Sequence, residues 1–206
     1  VICCAMRHHT MEQNLEVFRT ATEYLDRGVC AVDLAGDEAS YPASQFTDLF
    51  AEARALGIPF TIHAGECHST ENVRTSIEMG AKRIGHGIAM KEDPELMKLA
   101  AERDVGIEMC PCSNFQTKAV QEGEEYPLAL FWEQGLLVTV NTDNRTVSQT
   151  SETRELKMAL ELMEASQKPV EDEKTFCRKL MENSIRTAFL PEEEKERLRH
   201  ILEKFS

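Results

Sequence analysis

PFTIHAGE, residues 59–66, passes from a short apolar run to a histidine, a glycine and a carboxylate. Pro59 to His63 reads as a strand: it is short, rich in apolar and β-branched residues, and bounded by Pro59 and Gly65. From about Thr70 the apolar spacing turns helical. The same unit recurs on both sides. Strands are predicted at Val1 to Ala5, Val29 to Asp33, Arg83 to Gly85, Val105 to Cys110 and Leu136 to Asn141. Helices are predicted between them, at Met11 to Leu25, Ser44 to Leu56, Pro94 to Arg103 and Pro127 to Trp132. Buried strands alternating with helices imply a parallel sheet, in either a doubly wound or a barrel arrangement. After Thr150 the pattern is almost wholly helical, and Pro191 with Glu192 and Glu193 marks a helix start. The EEEKER run that follows reads as a solvated helix face. No internal repeat, low-complexity segment or linker interrupts the chain, so residues 1–206 are expected to form a single domain.

Composition narrows the function. The chain has 206 residues, 42% hydrophobic and 29% charged, enough for one sizeable core. No apolar run is long enough to cross a bilayer, and no signal peptide is visible. The net charge of −13 argues against nucleic-acid backbones and anionic membranes as partners, but not against an uncharged nucleoside. Seven cysteines, an odd number lying partly inside apolar runs, suit reduced thiols in a cytoplasmic protein better than a disulfide framework. The Cys110-Pro111-Cys112 pair lacks the C-x-x-C spacing of a redox or metal motif and reads as structural.

The chemistry-bearing residues share one location. Arg7 with His8, Asp33 to Glu38, His63 to Glu66, His86, and Asp143 with Asn144 all follow predicted strands. In parallel α/β folds that end of the sheet carries the ligand sites, whether or not the sheet closes. His63 and Glu66 can supply a metal ligand and an acid, with Gly65 permitting a tight turn between them, though a buried hydrogen-bonded histidine and a surface glutamate explain the pair equally well. His86, flanked by Gly85 and Gly87, has little neighbouring bulk to hide it and suits proton transfer near neutral pH. Asp143 leaves an apolar strand, which suits a metal ligand or, equally, a turn or helix-capping aspartate. Gly36 can offer a backbone N–H to a flat ligand, though a simple turn explains it as well. Imidazole nitrogen and carboxylate oxygen together suit Zn²⁺ as cofactor.

In order, the chain reads CCAMRH (3–8), AVDLAGDE (31–38), TIHAGE (61–66), RIGHG (83–87), EMCPCSN (108–114) and VTVNTDN (138–144), with LPEEEK at 190–195. This series resembles the adenosine deaminase family of the amidohydrolase superfamily over essentially the whole chain. The resemblance implies a (β/α)8 TIM-barrel fold. Its first strand carries a His-x-His that supplies two zinc ligands and touches the ribose. No His-x-His occurs here, so the chain would correspond to strands three to eight plus the C-terminal helices. His63 and Asp143 would be zinc ligands, and Asp143 would also hold the hydroxide in line. His86 would orient or deprotonate the zinc water and stabilise the attacking hydroxide. Glu66, kept protonated by a dry pocket, would protonate purine N1. Gly36 would donate its backbone N–H to N3. Animal members have a second aspartate facing N7; here Asn144 stands in its place and can donate an amide N–H.

The implied activity is hydrolytic deamination of adenosine and 2′-deoxyadenosine to inosine products and ammonia, in purine salvage. Two alternatives stay open: a deaminase of adenine, AMP or another 6-aminopurine, and an inactive purine-binding chain. No added basic phosphate clamp is evident, which disfavours AMP. The unrelated zinc deaminases with H-x-E and P-C-x-x-C are poorly matched, because that signature is absent.

Overall fold

A computed structural model describes residues 1–204. It contains six parallel strands: β1 (Ile2–Met6), β2 (Ala31–Ala35), β3 (Thr61–Ala64), β4 (Arg83–His86), β5 (Gly106–Met109) and β6 (Leu137–Val140). Full ladders join β1 to β2 and β3 through β6 in chain order. A parallel bridge between Val32 and Phe60, with the Val32 N–H on the Pro59 carbonyl at 3.0 Å, connects the two groups. The strands thus follow one another in sequence order, as they do along an arc of a (β/α) barrel. Among the described residues β1 and β6 each pair on one side only.

Each crossover is helical: α1 (Met11–Thr22), α2 (Thr47–Ala55), α3 (Thr70–Met79), α4 (Pro94–Glu102), then α5 (Pro111–Gln116) and α6 (Leu128–Glu133) before β6. The starts follow local chemistry. Thr10 and Gln13 form a reciprocal capping box on α1, and Ser69 caps α3. Asp93 caps α4 ahead of Pro94. Beyond β6 lie α7 (Arg145–Ser148), α8 (Glu152–Ala165), α9 (Glu173–Thr187) and α10 (Glu192–Glu203). The start predicted at Pro191 is present, with the Glu192 to Glu194 carboxylates in the first turn.

Period-two alternation divides every strand between two environments. One set, including Ala5, Val32, Leu34, Ile62, Ile84, Ile107 and Val138, packs into a core with Phe18, Leu49, Phe50, Leu96 and Phe131 from the helices. The other set carries the polar strand residues among small and apolar ones such as Ala31 and Leu137. Cys4 pairs in register with Asp33, and Gly85 pairs with both His63 and Glu108. Glu108 pairs in turn with Thr139. Glu108 also makes an ion pair with Arg83 at 2.5 Å and accepts from Thr61 Oγ1 at 3.2 Å. The sixth strand is therefore not wholly apolar: Thr139 is buried on the polar face, its hydroxyl donating to the Ile107 carbonyl at 3.2 Å. Helix α9 docks across this end of the sheet. Asn183 donates to the Val138 carbonyl at 2.9 Å, and Phe189 lies 4.1 Å beneath the Arg83 guanidinium.

Candidate active site

The polar residues converge at the C-terminal ends of the strands. His63, on β3, places Nδ1 3.0 and 3.1 Å from the two oxygens of Asp33, on β2. Burial alone would lower the pKa of the His63 imidazole. The charge and hydrogen bond of Asp33 outweigh it and raise the pKa to about 9. With the carboxylate holding an Nδ1 proton, Nε2 is the nitrogen that would give up its proton to a metal, the arrangement found behind most zinc-bound histidines. Gly85 sits beside this ring, and a Cβ there would lie 3.2 Å from His63 Cγ.

His86 ends β4 with a left-handed backbone, φ 66°. Its two glycine neighbours suggested an open imidazole, but it is 1% exposed. Tertiary packing supplies the cover that local sequence lacks. The His63 ring stacks edge-on at 5.1 Å, Asn114 of α5 meets Nδ1 at 2.9 Å, and Glu66 Oε2 stands 3.7 Å from Nε2. Burial, the dominant effect, holds the His86 pKa below the usual histidine range.

Glu66 follows β3, and Thr117 donates to its Oε1 at 2.9 Å. Its side chain is 30% exposed, so the dry surround expected for it is only partly built by these residues. Its backbone is held firmly. The buried Glu38 carboxylate accepts from the N–H groups of Gly65, Glu66 and Cys67 at 2.7, 3.0 and 3.4 Å. Gly65 is required in this turn: φ is 84°, and a Cβ would stand 2.7 Å from Val73 Cγ2. Arg7, 1% exposed, reaches across from the end of β1. It donates to the carbonyls of Tyr41 and His63, the latter at 2.7 Å. His8, next to it, is exposed.

Glu38→Ala is expected to cost about 1–3 kcal/mol, because three loop N–H groups lose a buried acceptor. Urea unfolding measures this; stability within ~0.5 kcal/mol of the parent would mean water replaces the carboxylate.

Asp143 follows β6 with φ 50°, a second left-handed non-glycine residue in the cleft. It is exposed, and Ser113 donates to its Oδ2 at 2.6 Å. Asn144 caps α7, its Oδ1 accepting from Thr146 and Val147 at 3.1 and 3.0 Å, which leaves the amide nitrogen available to donate. Gly36, exposed after β2, has φ 110°. His63, His86 and Glu66 are thus brought together, with Asp143 close enough to act electrostatically on both imidazoles. Among the described residues no three His, Cys, Asp or Glu side chains form a metal cluster. His63 and Asp143 would therefore supply two donors of a site that needs others besides.

The roles of Arg7, Glu38, Ser113, Asn114 and Thr117 are visible only in the folded chain. The last three ride on or just after α5, an unpredicted helix whose signal was Pro111 directly after a strand. All seven cysteines are free thiols. No helix among the described residues is long and apolar enough to cross a membrane.

Comparison with known proteins gives consistent findings. The adenosine deaminase family matches residues 1–205. The chain is 42% identical to an adenosine deaminase of Enterococcus faecalis over 197 residues, covering 96% of this chain and 56% of that one. It is 40% identical to that of Haemophilus ducreyi over 209 residues, covering 100% of this chain and 59% of that one. Among solved structures, the N6-methyl-AMP deaminase of Arabidopsis thaliana superposes with a TM-score of 0.87 at 24% identity, covering 100% of this chain and 58% of the other. A zinc-bound amidohydrolase of Burkholderia ambifaria gives 0.81 at 22% identity, covering 98% and 55%. These likenesses bear out the barrel-type α/β fold. The chain spans somewhat over half the length of the relatives it matches.

Proposed function

The chain belongs to the adenosine deaminase family, and on that premise we propose that its cleft serves the zinc-dependent hydrolysis of adenosine and 2′-deoxyadenosine to inosine nucleosides and ammonia. The observation that carries this reading is the convergence of His63, His86 and Glu66 at the end of the sheet where Asp143 also leaves its strand. His63, oriented by Asp33, and Asp143, oriented by Ser113, would hold the zinc. Zinc, when bound, lowers the pKa of water to roughly 7 and so supplies hydroxide at neutral pH. The remaining work belongs to the chain's own groups. Gly36 and Asn144 grip the purine ring through a backbone and an amide N–H. Glu66 gives a proton to N1, which makes C6 electrophilic, so that oxygen adds there and ammonia leaves. His86 steers the incoming oxygen.

The seven free thiols support a reducing, cytoplasmic setting, and the proposed substrate places the reaction in purine salvage. The partner is a small purine nucleoside.

The test is zinc content and the loss of adenosine absorbance, measured for this chain and for a natural form that includes any residues preceding Val1. Turnover with zinc bound, in either form, is the expected result. Inactivity of both sinks the deaminase reading. Preference for AMP or adenine moves the reading to another 6-aminopurine.

A further inference from the structure

Behind His86 lies a second layer of buried polar groups. Asn114 is 0% and Tyr126 3% exposed, and neither touches the cleft side of the imidazole. Asn114 Nδ2 is 2.9 Å from His86 Nδ1. Its Oδ1 faces the Tyr126 hydroxyl at 2.9 Å and the Cys110 backbone N–H at 3.4 Å. The amide orientation follows from these two neighbours. A backbone N–H can only donate, so the group it faces is the oxygen. Tyr126 agrees: burial pushes its pKa well above the usual phenol range, so its O–H remains and donates to that oxygen. The NH₂ end is therefore turned to the imidazole.

An amide NH₂ has no lone pair to offer. The nitrogen it meets, His86 Nδ1, must accept, and a neutral imidazole then carries its proton on Nε2. We propose that Asn114 is a positioning residue that fixes His86 as the Nε2–H tautomer, with Tyr126 and the Cys110 N–H locking the amide against flipping. Two consequences follow. Nε2 lies on the side of Glu66, so the cleft is presented with a hydrogen-bond donor. A neutral Nε2–H imidazole has no lone pair there to take a proton from water. Within the deaminase reading, on which this step rests, His86 thus donates a hydrogen bond to the oxygen that adds at C6 and is not its base. The preceding residues of the motif point elsewhere: Ser113 turns to Asp143, and the Cys112 N–H donates to Glu155 at 3.1 Å. One turn of helix therefore orients both the candidate metal ligand Asp143 and the imidazole.

The ¹⁵N–¹H correlation pattern of the His86 ring reports its tautomer directly, without zinc or turnover. The resonance is assigned by its loss in His86→Gln, and spectra are taken at alkaline pH, where the ring is neutral. In the parent chain Nε2 is expected to carry the proton and Nδ1 to be bare. Asn114→Asp replaces the donating NH₂ by an accepting oxygen of the same size, so Nδ1 is expected to become protonated. In a form that turns over adenosine, the same substitution lowers kcat on the order of 10²–10⁴-fold, with KM changed less than about threefold and zinc retained. A protonated Nδ1 in the parent, or a bare Nδ1 in Asn114→Asp, overturns the proposal. Should Asn114→Asp not fold, the parent spectrum still decides. Tyr126→Phe, which removes the shorter of the two contacts that lock the amide, is then expected to add a detectable share of the Nδ1–H tautomer. An Nε2–H parent that never deaminates adenosine would sink the functional reading and leave the tautomer assignment standing.

Discussion

In a turnover-competent form, Glu66→Gln is expected to lower kcat for adenosine by about 10²–10⁴-fold while zinc content and stability stay those of the parent. The substitution isolates the proton. Glutamine keeps the shape of the side chain and an oxygen to accept from Thr117, which now donates at 2.9 Å. The loop beneath it is unaffected, because Glu38 holds it through backbone N–H groups and not through the Glu66 side chain. The 3.7 Å separation from His86 Nε2 is too long for a strong hydrogen bond, so little is lost there. What disappears is an acid able to protonate N1. An amide cannot release a proton at neutral pH, and C6 then stays a poor electrophile. Steady-state kinetics with metal analysis checks this. Normal turnover removes Glu66 from the proton-donor role, whereas lost zinc would relocate the defect to the metal centre.

Asp33→Ala is expected to weaken zinc binding by about 10–100-fold although Asp33 is not itself a ligand. Its carboxylate orients the His63 ring and holds the proton on Nδ1. Without it the imidazole can rotate and present either nitrogen. Competition with a chelator measures the change, and an affinity within about twofold of the parent would mean other contacts orient His63. The same pair gives the metal-free chain a pH signature. The folded-state pKa of His63, about 9, lies above the ordinary value of 6.5. A raised pKa means the folded chain holds its proton more tightly than the unfolded one. Stability from the pair is therefore fully present below pH ~6.5 and lost as pH rises through about 9. The parent should exceed Asp33→Ala in urea resistance at pH 6, and the difference should shrink by pH 10. A constant difference across that window would mean the pair is not ionised as described.

The sequence by itself determined the parallel α/β architecture and the edge of the sheet where chemistry gathers, and left the order of the strands, doubly wound or barrel-like, open. Apolar spacing is a local property, and a strand's C-terminal end is readable once the strand is. His63, Glu66, His86 and Asp143 stand at those ends as the spacing of PFTIHAGE and its neighbouring units suggested. Only the tertiary structure decided how each of them is held. Asp33 meets His63 across thirty residues, Glu38 meets Gly65 across twenty-seven, and Asn114 meets His86 across twenty-eight. Glu38 and Asn114 lie in segments that follow strands, but nothing in their local pattern says which group each one holds. Their roles arise because neighbouring parallel strands place their ends side by side, where a buried donor must find an acceptor. For the same reason His86, flanked by glycines and open in sequence, is closed in space. The candidate site residues were legible along the chain as polar groups at strand ends; their orientation, and with it the placing of each proton, depended on partners that only folding brings within about 3 Å.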